Sequence, residues 1–216
     1  VTLSGNFFLL SIKETAAICC VSFAMGMSTG YGVESWVGSF PISLLVTLLI
    51  GCLAGAAQGL FIGLGGNPIV VTLGGAGILY GIATWWTDNL VISFRRPNDA
   101  EWLGTGSFLG LPTITWSFIL IAILAEFVLR YTNFGRKVYL VGSNRAAGKA
   151  TGHENLSMAI IVCTICSALC AFVAVAFAAQ MSSAQANYFS AEFGSSGDMT
   201  ILVIATVMVG GNSIMG

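Results

Sequence analysis

The chain has 216 residues, of which 56% are hydrophobic and 27 more are glycine, while only 8% are charged and the formal net charge is −1. An ordinary soluble domain carries roughly 25% charged residues, so this composition cannot clothe a water-facing globule of this size. It excludes a disordered tail and a nucleic-acid binder, which needs a basic footprint. It also makes a cytosolic enzyme a poor fit, and leaves an integral membrane protein with lipid as its solvent.

A spanning helix needs about 20 apolar residues to cross a hydrocarbon core of roughly 30 Å. Taken in chain order, the first such stretch runs from Thr15 to about Val33, after Lys13 and Glu14 interrupt the N-terminal segment. No basic cluster precedes it, so a cleavable signal peptide fits poorly. The second stretch, Ser39 to Leu64, carries Gly51, Gly55, Gly59 and Gly63 at every fourth residue. Four glycines in register cost helix propensity, and the reason expected in a membrane is close approach of another helix backbone. That ridge is either a static packing face or a moving or subunit-contacting surface. Gln58 stands beside it, able to hydrogen-bond across.

The third stretch, Ile69 to Thr87, follows the turn Gly65-Gly66-Asn67-Pro68. Its content of Thr72, Gly74, Gly75, Gly77 and Gly81 allows either a span or a re-entrant segment. The fourth, Pro112 to Tyr131, holds Glu126 one helical turn before Arg130. That spacing suits a paired, snorkelling anchor at the interface better than an ion relay, because no further intramembrane acid is expected. The fifth runs from Leu156 to Gln180, with Cys163, Cys166 and Cys170 on one face. Small-residue packing explains them better than a soft-metal site, since no His, Asp or Glu is near. The sixth begins near Met199 and runs to the chain end. The stretches do not alternate as barrel strands would, so the expected fold is all-α, a polytopic transmembrane helix bundle of five to six membrane segments. Residues 1–216 form a single transmembrane domain, read as incomplete at one or both ends.

The connections differ in charge. The 130–155 connection carries Arg130, Arg136, Lys137, Arg145 and Lys149, five of the eight basic residues, and this bias assigns it to the cytoplasm. The loops 88–111 and 181–198 then face outside, while the Gly65–Pro68 turn and Lys13 face the cytoplasm. Trp85, Trp86, Trp102 and Trp116 fall at the outer interface, an aromatic-belt position. The segment from Ser143 to Thr151 imitates a phosphate-binding loop, but Ser143 replaces the first glycine, Ala150 replaces the hydroxyl, and no strand precedes it. His153, the sole histidine, makes neither a zinc site nor a catalytic triad. No catalytic residue, metal or cofactor is expected in this chain.

Residues 67–152 also carry a family resemblance. Asn67-Pro-Ile-Val-Val-Thr-Leu-Gly74 and Ile78-Leu-Tyr-Gly-Ile-Ala83 resemble runs in permease subunits of ABC-type importers of the ribose, galactose, xylose and autoinducer class. Leu103-Gly-Thr-Gly106 with Gly110-Leu-Pro112 resembles that family's outer loop. Tyr131-Thr-Asn-Phe-Gly-Arg-Lys-Val-Tyr139, with Val141-Gly-Ser-Asn-Arg-Ala-Ala147 and Thr151-Gly152, is similar to its cytoplasmic signature. Gly210-Gly-Asn-Ser-Ile214 and Gly216 are similar to a later segment. The chain departs from the family at Gly30 to Ser39, where an Asp of the family pattern is missing or shifted to Glu34, and at least one helix is expected to be lacking.

The resemblance implies a permease subunit of a binding-protein-dependent importer in the bacterial cytoplasmic (inner) membrane. Its partners would be a cytoplasmic ATP-binding subunit, a second permease subunit (the same or different), a periplasmic or extracellular substrate-binding protein and membrane lipid, with no nucleic acid. It further implies that the loop holding Gly142, Asn144, Arg145, Ala146, Ala147 and Gly152 forms a short coupling helix seated in the ATPase. Asn144 suits the cap of such a helix. ATP hydrolysis would reside in the partner chain. The alternative is a secondary transporter of a small polar solute, which should show intramembrane ionisable residues.

Overall fold

A computed structural model describes residues 9–27, 40–94, 98–108, 110–143, 155–190 and 198–210. Its helices are α1 (Ile12–Met27), α2 (Phe40–Gly63), α3 (Pro68–Thr87), α4 (Asn98–Thr105), α5 (Thr113–Tyr131), α6 (Asn133–Ser143), α7 (Asn155–Met181) and α8 (Met199–Val209). Among the described residues α2, α3, α5 and α7 are long and apolar enough to cross a membrane, and α8 is a shorter apolar helix. The chain is an all-α polytopic membrane bundle.

The centre of the bundle is α1, not one of the longer helices. From Thr15 to Met27 every residue is buried, as a helix apolar on all sides requires. It packs against α2, α3 and α7. Phe23 is fully enclosed and meets Phe40 and Phe94 edge-on, with ring centroids 5.9 and 5.8 Å apart. Against the expected start at Thr15, the helix begins at Ile12 and takes Lys13 and Glu14 into its first turn. The expected continuation to Val33 lies outside the described residues.

The third stretch is one continuous helix of 20 residues rather than a re-entrant piece. Its start is locally encoded: the Asn67 side chain accepts a hydrogen bond from the Ile69 N–H at 3.0 Å, and Pro68 sits at the first helical position, where no N–H is missed. Asp88 ends it in the left-handed region.

Lipid offers hydroxyls no partner, so buried Ser and Thr side chains bond back to the helix turn before them. Thr15 donates to Ser11 O, Ser22 to Ile18 O, Thr47 to Ser43 O and Thr72 to Pro68 O, at 2.6–2.8 Å. Outward positions are apolar: Leu45, Leu49, Leu53 and Leu60 of α2 and Phe118, Leu120, Ile123 and Phe127 of α5 are exposed. This is the expected inversion where the solvent is hydrocarbon.

Two short ladders lie between helices. In one, β1 (Ile92–Ser93) pairs antiparallel with β4 (Ser183–Ala184); in the other, β2 (Ser107–Phe108) pairs with β3 (Leu111–Pro112). Because β1 follows α3 and β4 follows α7, the 88–111 and 181–198 connections meet at one end of the bundle. Exposed Trp85 and Trp102 belong to the helices flanking β1.

Candidate functional site

Three features bear on function: the glycine ridge of α2, the region after α5, and a polar cavity beside α1. The ridge faces α7. A Cβ on Gly51 would stand 2.8 Å from the Ala171 Cβ, on Gly55 2.6 Å from Cys163 O, on Gly59 2.7 Å from the Ile160 Cα, and on Gly63 2.7 Å from the Leu156 Cα. The two helices run antiparallel with backbones touching along the whole ridge. Gln58 bonds not across to α7 but to the residue just before α1, accepting from Ser11 Oγ at 2.6 Å. Cys163 is buried in the same seam, and no group of three His, Cys, Asp or Glu that could hold a metal occurs among the described residues.

The connection after α5 is not simply a loop. Residues 133–143 form α6, whose Phe134 and Val138, four apart, turn inward while Arg136 and Lys137 are exposed. Val138 packs with Leu9, Ile62, Met158, Ala159 and Val162, which ties α6 to the end of the bundle where α2 stops and α7 starts. Gly142 lies in the last turn of α6. Asn144, Arg145, Ala146, Ala147 and Gly152 lie outside the described residues, as does His153. Glu126 and Arg130 form an i,i+4 pair at 3.6 Å, both side chains about 70% exposed.

The cavity was not anticipated from sequence. It encloses about 390 Å³ and is lined by Lys13, Glu14, Ala17, Tyr80, Ala186, Asn187, Phe189, Ser190 and Asp198. Lys13 donates to Asp198 Oδ2, and its ammonium lies 3.7 Å from Glu14 Oε1. Asp198 uses its other oxygen to cap α8, accepting from the Thr200 N–H at 2.9 Å. The Tyr80 hydroxyl donates to Asn187 Oδ1 at 2.7 Å, and the Ser190 hydroxyl donates to Asn187 O, also at 2.7 Å. The buried Glu14 Oε2 has no hydrogen-bond partner.

This geometry corrects the assignment of Lys13 and the 181–198 loop to opposite faces, since Lys13 and Asp198 touch. The register of α1 on α2 gives their depth. Ser11 is level with Gln58 and Gly26 with Ser43, so Lys13 stands between the levels of Gly55 and Gln58. That is on the order of 10 Å inside the Gly63 end of α2 at 1.5 Å per residue. The segment after β4 folds back into the bundle: Ala184 pairs with β1 at one end, Asn187 reaches Tyr80 partway down α3, and Asp198 reaches Lys13. Ala184, Ala186 and Phe189 are buried with α1, and that burial of small and aromatic side chains is what draws the segment inward. The expectation of no further intramembrane acid is likewise overturned by Glu14. The sequence signal for this site was thin: two ionisable residues directly before an apolar run, and an Asp before another.

The family model described as branched-chain amino acid transport system / permease component matches residues 4–216. Curated relatives include the autoinducer 2 import system permease protein LsrC of Salmonella paratyphi B, 28% identical over 96% of this chain and 56% of the relative. The same-named proteins of Enterobacter sp. and Photorhabdus luminescens are 29% and 27% identical over 96% of this chain, covering 56% and 58% of their own lengths. The chain thus spans a little over half the length of these relatives. No solved structure gives a significant match.

Proposed function

The chain belongs to the branched-chain amino acid transport system / permease component family, and on that premise we propose that it is the membrane permease subunit of an ABC importer for monosaccharide-like solutes. The carrying observation is the match of that family over residues 4–216. The named relatives are autoinducer 2 import system permease proteins, and the resemblance of residues 67–152 to sugar-importer permeases directs the reading to a small hydroxylated solute rather than to an ion. The subunit works in the bacterial cytoplasmic membrane with a second permease subunit, a cytoplasmic ATPase and a substrate-binding protein. No residue of this chain performs covalent chemistry; ATP hydrolysis belongs to the partner. The bundle alternates between outward-open and inward-open states, and each state is favoured by the nucleotide state of the ATPase.

In this reading the coupling element is the stretch with Gly142, Asn144, Arg145, Ala146, Ala147 and Gly152. Its small Ala146 and Ala147 let a short helix enter a cleft. Support comes from α6, which fixes the preceding residues against the bundle end through Val138. The test is Ala147→Arg in the full-length permease. Co-purification with the ATPase and ATP-driven uptake are expected to fall together at least tenfold; undiminished association and uptake would refute the role.

A secondary transporter of a small polar solute is the second reading, and the Lys13, Glu14 and Asp198 cluster at depth is what favours it. Uptake in vesicles driven by an ion gradient, without ATP, would select it.

A further inference from the structure

We infer that the cavity beside α1 is a binding recess for a neutral polyhydroxylated solute, lined by Lys13, Glu14, Tyr80, Asn187, Ser190 and Asp198. The inference rests on the permease reading and adds where within the subunit the solute is held. The volume, about 390 Å³, lies in the range of small-molecule sites. Its polar groups include both donors and acceptors. The Lys13 ammonium and the Asn187 amide nitrogen donate; Glu14 and Asp198 carboxylates accept. A sugar hydroxyl does both at once and can join neighbouring groups of opposite sense.

The charge balance selects against an anion. Lys13 is bonded to Asp198 and stands 3.7 Å from Glu14, so its ammonium is already engaged by the two carboxylates, which together repel an anion. One acceptor is left over, because Glu14 Oε2 is buried without a donor. A buried unpaired carboxylate oxygen is costly, and a turn of the Glu14 side chain toward the recess lets a ligand hydroxyl supply the donor it lacks. Phe189 supplies an apolar face for the C–H side of a sugar ring, and its position is set by packing on Phe177 at a centroid separation of 5.1 Å. The cavity also sits where the segment after β4 folds back, so ligand contact with Asn187 and Ser190 bears on Asp198 and the cap of α8.

The test uses full-length permease in detergent micelles, without the ATPase. Ser190→Cys places a thiol in the recess, and its reaction with N-ethylmaleimide is timed with D-ribose, D-xylose or D-galactose at 100 mM in turn. Betaine, which has no hydroxyl, serves as the osmotic control, and the unmodified chain gives the background of the native cysteines. At least one sugar is expected to slow labelling fivefold or more, betaine less than 1.5-fold, and added Glu14→Gln should cut the protection at least threefold. Ala186→Cys probes the same recess should Ser190→Cys fail to fold. Labelling that no sugar slows, or protection by sodium chloride instead, overturns the recess. Loss of ATPase association, measured separately, bears on the permease reading alone.

Discussion

Replacing Gly59 by alanine adds one methyl group at a tight backbone contact of the α2–α7 seam. The new Cβ would stand 2.7 Å from the Ile160 Cα and 2.8 Å from Ala159 O, with the Ala159 carbonyl carbon at 3.1 Å. These are backbone atoms, so no side chain can rotate away. Carbon atoms rest at about 3.5–4.0 Å, so the helices must part by roughly 1 Å near this point. A gap of that size forfeits a quarter to a half of each neighbouring dispersion contact, and overpacking of this kind costs about 1–3 kcal/mol. Gly77→Ala on α3 is the matched control: nothing stands within 4 Å of its Cβ, and alanine favours helix over glycine. Titration of the full-length protein with SDS in mixed micelles should give Gly59→Ala a loss of about 1–3 kcal/mol and Gly77→Ala a change within about 0.5 kcal/mol. A Gly59→Ala protein as stable as the unmodified one would refute the backbone-contact reasoning.

Truncating Phe23 to alanine removes the fully enclosed ring between Phe40 and Phe94 and should cost about 3–5 kcal/mol, read in the same titration as a lower midpoint or as failure to accumulate. Lys13→Met leaves Asp198 and Glu14 without their cation and should destabilise more than Lys13→Met combined with Asp198→Asn. The double-mutant cycle should return a coupling of about 0.5–3 kcal/mol, and a coupling of zero would show that the contact carries no energy.

Local signals were the legible ones. The length and apolar character of α2, α3, α5 and α7 can be read directly, and Asn67-Pro68 marks the start of α3 by its own chemistry. The four-residue glycine spacing identifies one face of α2 without revealing that α7 covers it. The cavity was illegible because its central pair, Lys13 and Asp198, is separated by 185 positions. A hydropathy reading gives each of them to the nearest loop. Nor does hydropathy show that Ala184, Ala186 and Phe189 are apolar enough to pull their segment down along α1. The basic residues of 130–155 drew attention to sidedness and hid the short stripe of Phe134 and Val138 that makes α6 a docked helix.

Sidedness is the central claim, since a coupling element works only where ATP is present. Full-length protein with Ala147→Cys, expressed in bacterial cells, can be exposed to a membrane-impermeant maleimide. The account predicts labelling in inside-out vesicles and none beyond the background of the native chain in intact cells with a permeabilised outer membrane; labelling in those intact cells would contradict it.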